Sequence, residues 1–98
     1  MKIDWTELAL DRVDEIAQHI AADDREAAIR WTVGLFKAVD RLAKFPESGR
    51  IVPELAARRT RELIYGAYRV FYRVGSTVQV LSVRRGSQVV RRGELEED

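Results

Sequence analysis

The chain has no cysteine, which excludes disulfide staples, thiolate nucleophiles and sulfur-ligated metal sites. It has one histidine, His19, so no cluster of imidazoles can assemble, and we expect no metal and no cofactor. Only Pro46 and Pro53 interrupt the backbone through their rings. No apolar run approaches the ~20 residues that a membrane-spanning helix needs. The opening stretch MKIDWTELAL carries Asp4 and Glu7 where a secretory leader needs an apolar core. Together these absences predict a soluble cytoplasmic protein with no membrane partner. Lysine is scarce too: Lys2, Lys37 and Lys44 are the only three.

What is present is a segregation of charge that the overall net of +1 conceals. Residues 1–57 hold 8 Lys/Arg against 11 Asp/Glu. Residues 58–92 hold 9 arginines against Glu62 alone. Residues 93–98 add Glu94, Glu96, Glu97 and Asp98. A basic stretch built entirely from arginine points to a surface for phosphate or carboxylate, because the planar guanidinium binds either in two-pronged fashion. A solvated face without a specific partner would look the same in composition. At 98 residues the chain is expected to form one domain, 1–98, with a core over 1–86 and a tail over 87–98.

The hydrophobic period organises the chain. Ile3 and Trp5 alternate with Lys2 and Asp4, predicting a first strand. Thr6 offers an N-cap to a helix whose apolar stripe is Ala9, Val13, Ile16, Ala17 and Ile20. His19 falls off that stripe, beside Glu15, and is expected in solvent. Asp23 and Glu26 have the spacing of a capping box, starting a second helix lined by Ala28, Trp31, Leu35, Val39 and Leu42. Gly34 inside it predicts close packing against the first helix. Pro46 and Gly49 end this helix, and one helical turn is expected after Pro53. From Thr60 the period is two: TRELIY, a Gly66–Ala67 turn, YRVFYRV, a Gly75–Ser76 turn, then TVQVLSVRR. The order is β-α-α-β-β-β. The fold class is α+β, an antiparallel helix hairpin packed on one face of a small, mostly antiparallel sheet.

The stretch YRVFYRV sets the functional question. A two-residue Gly75–Ser76 turn would pair Tyr72 with Gln79, Val70 with Leu81, Phe71 with Val80 and Arg69 with Ser82. One face of this hairpin would then pack on the helices. The other would show Phe71 and Val80 between Arg69 and Arg73, with Arg84 continuing the row and Arg61 approaching from the neighbouring strand. Two readings of that face stand open. It is a docking surface, or the connector 46–59 folds over Phe71 and makes a minor core. The candidate partner-binding residues on and around this face are Arg61, Arg69, Phe71, Arg73, Val80, Arg84 and Arg85.

PESGRIVPEL, with Pro46, Gly49, Arg50, Pro53 and Glu54, is followed by Arg61-Glu62-Leu63 and then by YRVFYRV. In that order the three pieces resemble the ParE/RelE superfamily of bacterial type II toxin–antitoxin toxins, over roughly residues 3–85. The resemblance implies the fold just derived, an antitoxin partner encoded nearby, and one of two targets. ParE-type toxins poison DNA gyrase by protein contact; RelE-type toxins enter the ribosome and cleave mRNA. Arg69 falls where the nucleases carry a catalytic arginine, and Arg84 or Arg85 falls near a second, so Arg69 and Arg85 are the catalytic candidates if the protein is a nuclease. No tyrosine or histidine follows Tyr72, so the acid/base group those nucleases place near the C-terminus is missing. An arginine of ordinary pKa is a poor base at neutral pH. The expectation is therefore a ParE-like gyrase inhibitor. The alternatives are a RelE-like ribosome-dependent endoribonuclease and a non-toxic binding module or decayed toxin.

Overall fold

The computed structural model describes residues 1–53 and 59–86. The elements run β1 (Ile3–Trp5), α1 (Glu7–Ala21), α2 (Arg25–Asp40), a 3-10 turn (Arg41–Ala43), β2 (Arg50–Ile51), β3 (Arg61–Tyr65), β4 (Tyr68–Val74) and β5 (Val78–Arg85). The five strands lie in the order β1-β5-β4-β3-β2. Among the described residues only β1 and β5 run parallel. The α+β class and the hairpin of helices on one sheet face are as expected, with the two-residue β2 as an added edge strand. The helical turn expected after Pro53 and the tail 87–98 lie outside the described residues.

Local chemistry sets the helix ends. The Thr6 hydroxyl accepts from the Ala9 amide and donates to the Leu81 carbonyl, so one side chain caps α1 and ties it to β5. The second cap is Asp24, not Asp23: its carboxylate accepts from the Ala27 amide at 3.0 Å. Asp23 instead belongs to the link that closes α1, its amide donating to the Ile20 carbonyl. Ala9 and Val13 of α1, Leu35 and Val39 of α2, and Leu42 meet Val70, Tyr72, Val78, Val80 and Val83 of the sheet in one buried core. Trp5 stacks at a tilt on Phe36 with ring centroids 4.7 Å apart, and Trp31 meets Tyr68 edge-on at 5.2 Å. Gly34 makes its close approach to β3 and not to α1, because a Cβ there would collide with the Tyr65 hydroxyl. That hydroxyl donates to the Trp31 carbonyl at 3.2 Å, pinning α2 to the sheet.

The β4–β5 register differs from the expected one. The loop has three residues, Gly75, Ser76 and Thr77, with the Gly75 amide bonded to the Thr77 carbonyl at 2.9 Å. Val74 therefore pairs with Val78 and Tyr72 with Val80. A one-residue slip reverses the face of every side chain on the shifted strand. Val80 consequently sits in the helix-side core, fully buried, and not beside Phe71. A bulge between Phe71 and Tyr72 then absorbs a second residue, so Phe71 pairs with Ser82 and Arg69 with Arg84. Beyond the bulge the slip totals two, and alternation returns to the expected faces.

Candidate functional site: the arginine-bearing sheet face

The sheet face away from the helices carries Glu62 and Ile64 from β3, Arg69, Phe71 and Arg73 from β4, and Ser82 and Arg84 from β5, following the alternation and the register. The centre of this face is closed. Val52 lies over Phe71 and Leu81, and the three form a second buried cluster. Phe71 has no exposed surface. Of the two readings of this face, the structure realises the minor core at its centre. Phe71 and Val80, expected on this face, are both buried in the folded chain, Phe71 against Val52 and Val80 in the helix-side core through the register. Leu81, the residue at the bulge, takes the place beside Phe71 that Val80 was expected to hold.

The arginines separate into three places. Arg69 is turned inward. Its Nη2 donates to Glu62 Oε2 at 2.7 Å and its Nε to Oε1 at 3.2 Å, a two-pronged ion pair with the side chains 12% and 0% exposed. The guanidinium also lies 4.8 Å from the Phe71 ring centroid. Arg50 approaches the same carboxylate from β2, Nη2 to Oε1 at 3.4 Å, with its own side chain 65% exposed. These groups border a hollow of about 430 Å³ that reaches Ile64, Tyr68 and the backbone of Gly66 and Gly86. Burial alone would push the Glu62 carboxyl up, but hydrogen bonding and charge from Arg69, with Arg50 behind it, outweigh burial and hold it below the usual carboxylate range. Glu62 is thus an ionised, weakly basic carboxylate.

Arg61 faces the 47–49 loop, where its Nη1 donates to the Gly49 carbonyl at 2.7 Å. Arg73 reaches Thr60 Oγ1 at 3.5 Å and shares with Arg61, Glu47 and Arg59 a hollow of about 210 Å³. Arg84 is half-buried opposite Arg69. Arg85 is exposed and lies on the helix side, bordering a hollow with Glu15, Ile16, His19 and Tyr68. The two residues nominated as a nuclease pair, Arg69 and Arg85, are therefore on opposite faces of the sheet. His19 is exposed as expected.

A further buried proton-bearing group near this face is Tyr72. Its hydroxyl donates to the Pro46 carbonyl at 2.8 Å and accepts from the Gly49 amide at 2.9 Å. Burial, the largest influence, raises its pKa above the ordinary phenol value despite the Gly49 hydrogen bond. It is a structural tie for the loop and a poor proton donor. Glu62 and Arg50 are the site residues that reading the sequence missed. The signal for Glu62 was present: it is the single carboxylate among the arginines of 58–92, and β3–β4 pairing sets it diagonally from Arg69. Among the described residues no group of His, Cys, Asp or Glu is arranged to hold a metal ion, and no helix is long and apolar enough to cross a membrane.

A helix hairpin on one face of a five-stranded sheet is a small α+β architecture found among solved structures. One is a chain of the chromosomal ParDE TA system from P. aeruginosa, with a TM-score of 0.75 over 87% of this chain and 95% of that one. At 23% identity that likeness establishes the fold. The sequence carries the matter further. The profile of the ParE toxin of type II toxin-antitoxin system, parDE, matches residues 3–90, and the chain belongs to this ParE toxin family. A candidate toxin of Sinorhizobium fredii, Y4kP, is 39% identical over 89 residues, which are 89% of this chain and 90% of that protein.

Proposed function

We propose that this ParE-type toxin inhibits DNA gyrase in the cytoplasm by protein contact, without chemistry of its own, and that a cognate antitoxin neutralises it. The observation that carries the choice of gyrase over mRNA cleavage is the Arg69–Glu62 ion pair. A ribonuclease of this architecture needs a guanidinium free to meet the scissile phosphate and a nearby group to move a proton. Here the guanidinium fork is committed to a buried carboxylate, that carboxylate is held below its usual pKa, and Tyr72 is committed to the 46–49 loop. Membership of the ParE family supports the same reading.

The test is a gyrase supercoiling assay beside a translation assay on programmed ribosomes, with one preparation of toxin. The expected result is lost supercoiling, accumulation of cleaved plasmid and intact mRNA. Supercoiling unaffected at large toxin excess, with mRNA cut on the ribosome, overturns the proposal in favour of an endoribonuclease. Unimpaired growth of bacteria expressing the toxin without its antitoxin would leave only a non-toxic binding module.

A further inference from the structure

At the end of the β3–β4 hairpin opposite the Gly66–Ala67 turn, Arg59, Arg61 and Arg73 border one hollow of about 210 Å³ with Glu47, Ile51 and Val74. Three guanidinium groups share it with a single carboxylate, so positive charge is in excess. Arg61 Nη1 donates to the Gly49 carbonyl at 2.7 Å and to the Glu47 carbonyl at 3.4 Å. A guanidinium has several N–H donors, so this anchor sets its direction and keeps donors for a ligand. Arg73 is held beside it through Thr60 Oγ1. Arg59 is exposed, and its backbone lies at φ 55°, in the left-handed region. Glycine would adopt that conformation without strain, whereas an arginine there destabilises the fold, which points to a use for its side chain.

We propose that this hollow grips one backbone phosphate of the DNA that gyrase holds; the choice of DNA rests in part on the gyrase reading above, whereas the phosphate site does not. Volume limits the ligand. Sites for whole small molecules begin at roughly 300 Å³, so a nucleotide does not fit. A single phosphate carried by a polymer does, with the rest of its chain outside. The groups converge on the hollow from β3, β4 and the turn before β3. Donors on several sides suit a tetrahedral phosphate better than a flat carboxylate, and the forked guanidinium meets phosphate oxygens in pairs. The rim favours deoxyribose. Ile51 and Val74 offer apolar surface and no partner for the 2′-hydroxyl by which proteins tell RNA from DNA. Glu47 repels the anion from within the same hollow. The contact is therefore weak by itself and takes effect where gyrase already holds the DNA beside the toxin.

Fluorescence anisotropy of a short labelled DNA duplex, titrated with purified toxin at low salt, is the direct test. Wild-type toxin should bind weakly and saturably. Arg59→Gly relieves the left-handed strain, so it should keep the wild-type circular dichroism spectrum and an undiminished urea midpoint. It should nonetheless weaken binding about fivefold and lower the slope of log affinity against log salt by about one. Glu47→Gln should tighten binding about threefold, a gain that a misfolded variant cannot mimic. Arg30→Ala removes the same charge from an exposed position on α2 and should leave the affinity unchanged. Wild-type toxin that does not bind the duplex overturns the inference. So do equal losses from Arg59→Gly and Arg30→Ala, which would mark diffuse attraction, and tighter binding to single-stranded RNA than to DNA. Antitoxin binding lost on Arg59→Gly with DNA binding intact overturns it as well, assigning the hollow to a carboxylate of the antitoxin. Duplex binding with the expected dependence on Arg59 and Glu47, by a toxin that leaves supercoiling intact, would uphold the site and overturn only the gyrase reading.

Discussion

The Glu62 carboxylate has two guanidinium groups within reach and almost no contact with water. Removing its charge while leaving Arg69 in place strands a buried cation, so Glu62→Gln should lower the free energy of unfolding in urea by about 3 kcal/mol. Replacing both partners by apolar residues, Glu62→Leu with Arg69→Met, should recover most of that loss, since desolvating the pair costs nearly as much as its attraction returns. The pair also carries a pH signature. The folded-state pKa of Glu62 lies below the unfolded value near 4.5, so the unfolded chain binds the proton first as pH falls. The stabilisation is complete above that unfolded value and is lost as pH drops through the folded pKa. Wild-type stability should therefore fall in this acid window more steeply than that of Glu62→Gln, measured by urea midpoints across the window.

The 46–49 loop shows how an element can depend on a residue distant in sequence. Tyr72, at the middle of the sheet, bonds both Pro46 and Gly49, and Arg61 bonds the Gly49 carbonyl. A Cβ on Gly49 would lie 2.5 Å from both the Glu62 carbonyl oxygen and the Tyr72 hydroxyl. Gly49→Ala should thus cost about 2 kcal/mol, because neither the strand backbone nor the buried ring can retreat. Tyr72→Phe should cost about 1–3 kcal/mol by leaving the Gly49 amide and Pro46 carbonyl without that partner. Both are read from thermal or urea unfolding. The Pro46–Gly49 stop signal was legible as a loop. That it is anchored by the tyrosine of YRVFYRV was not, because the anchor spans more than twenty residues and needs the sheet to exist first.

At the scale of the molecule, the charge segregation of the chain does not become a uniformly open basic face. Arg69 is spent on Glu62, Arg61 on a loop carbonyl, and Arg85 lies across the sheet from Arg84. Arg50, from the acidic half of the sequence, is the exposed member of the Glu62 group. If the antitoxin meets this region with carboxylates, its affinity should fall as salt rises, because exposed charges are screened. Arg50→Ala should flatten that salt dependence in a binding titration, whereas Arg69→Ala should act mainly through lower toxin stability. Equal salt slopes for wild type and Arg50→Ala would argue for an apolar contact.

Periodicity by itself determined the two helices, the strands β1, β3, β4 and β5, and their order, because burial of one face imposes a period of 3.6 or 2 on any chain that folds this way. It also determined that arginines would crowd the β3–β5 region. Only the tertiary structure decided which of them face outward. A one-residue difference in the Gly75–Thr77 loop and a bulge at Leu81 exchanged Val80 for Leu81 beside Phe71, and turn length is a weak local preference that the packing of a whole core can override. The partnership of Glu62 with Arg69 likewise arises from strand pairing, since a carboxylate taken out of water must find its counter-charge among the groups the fold brings within reach.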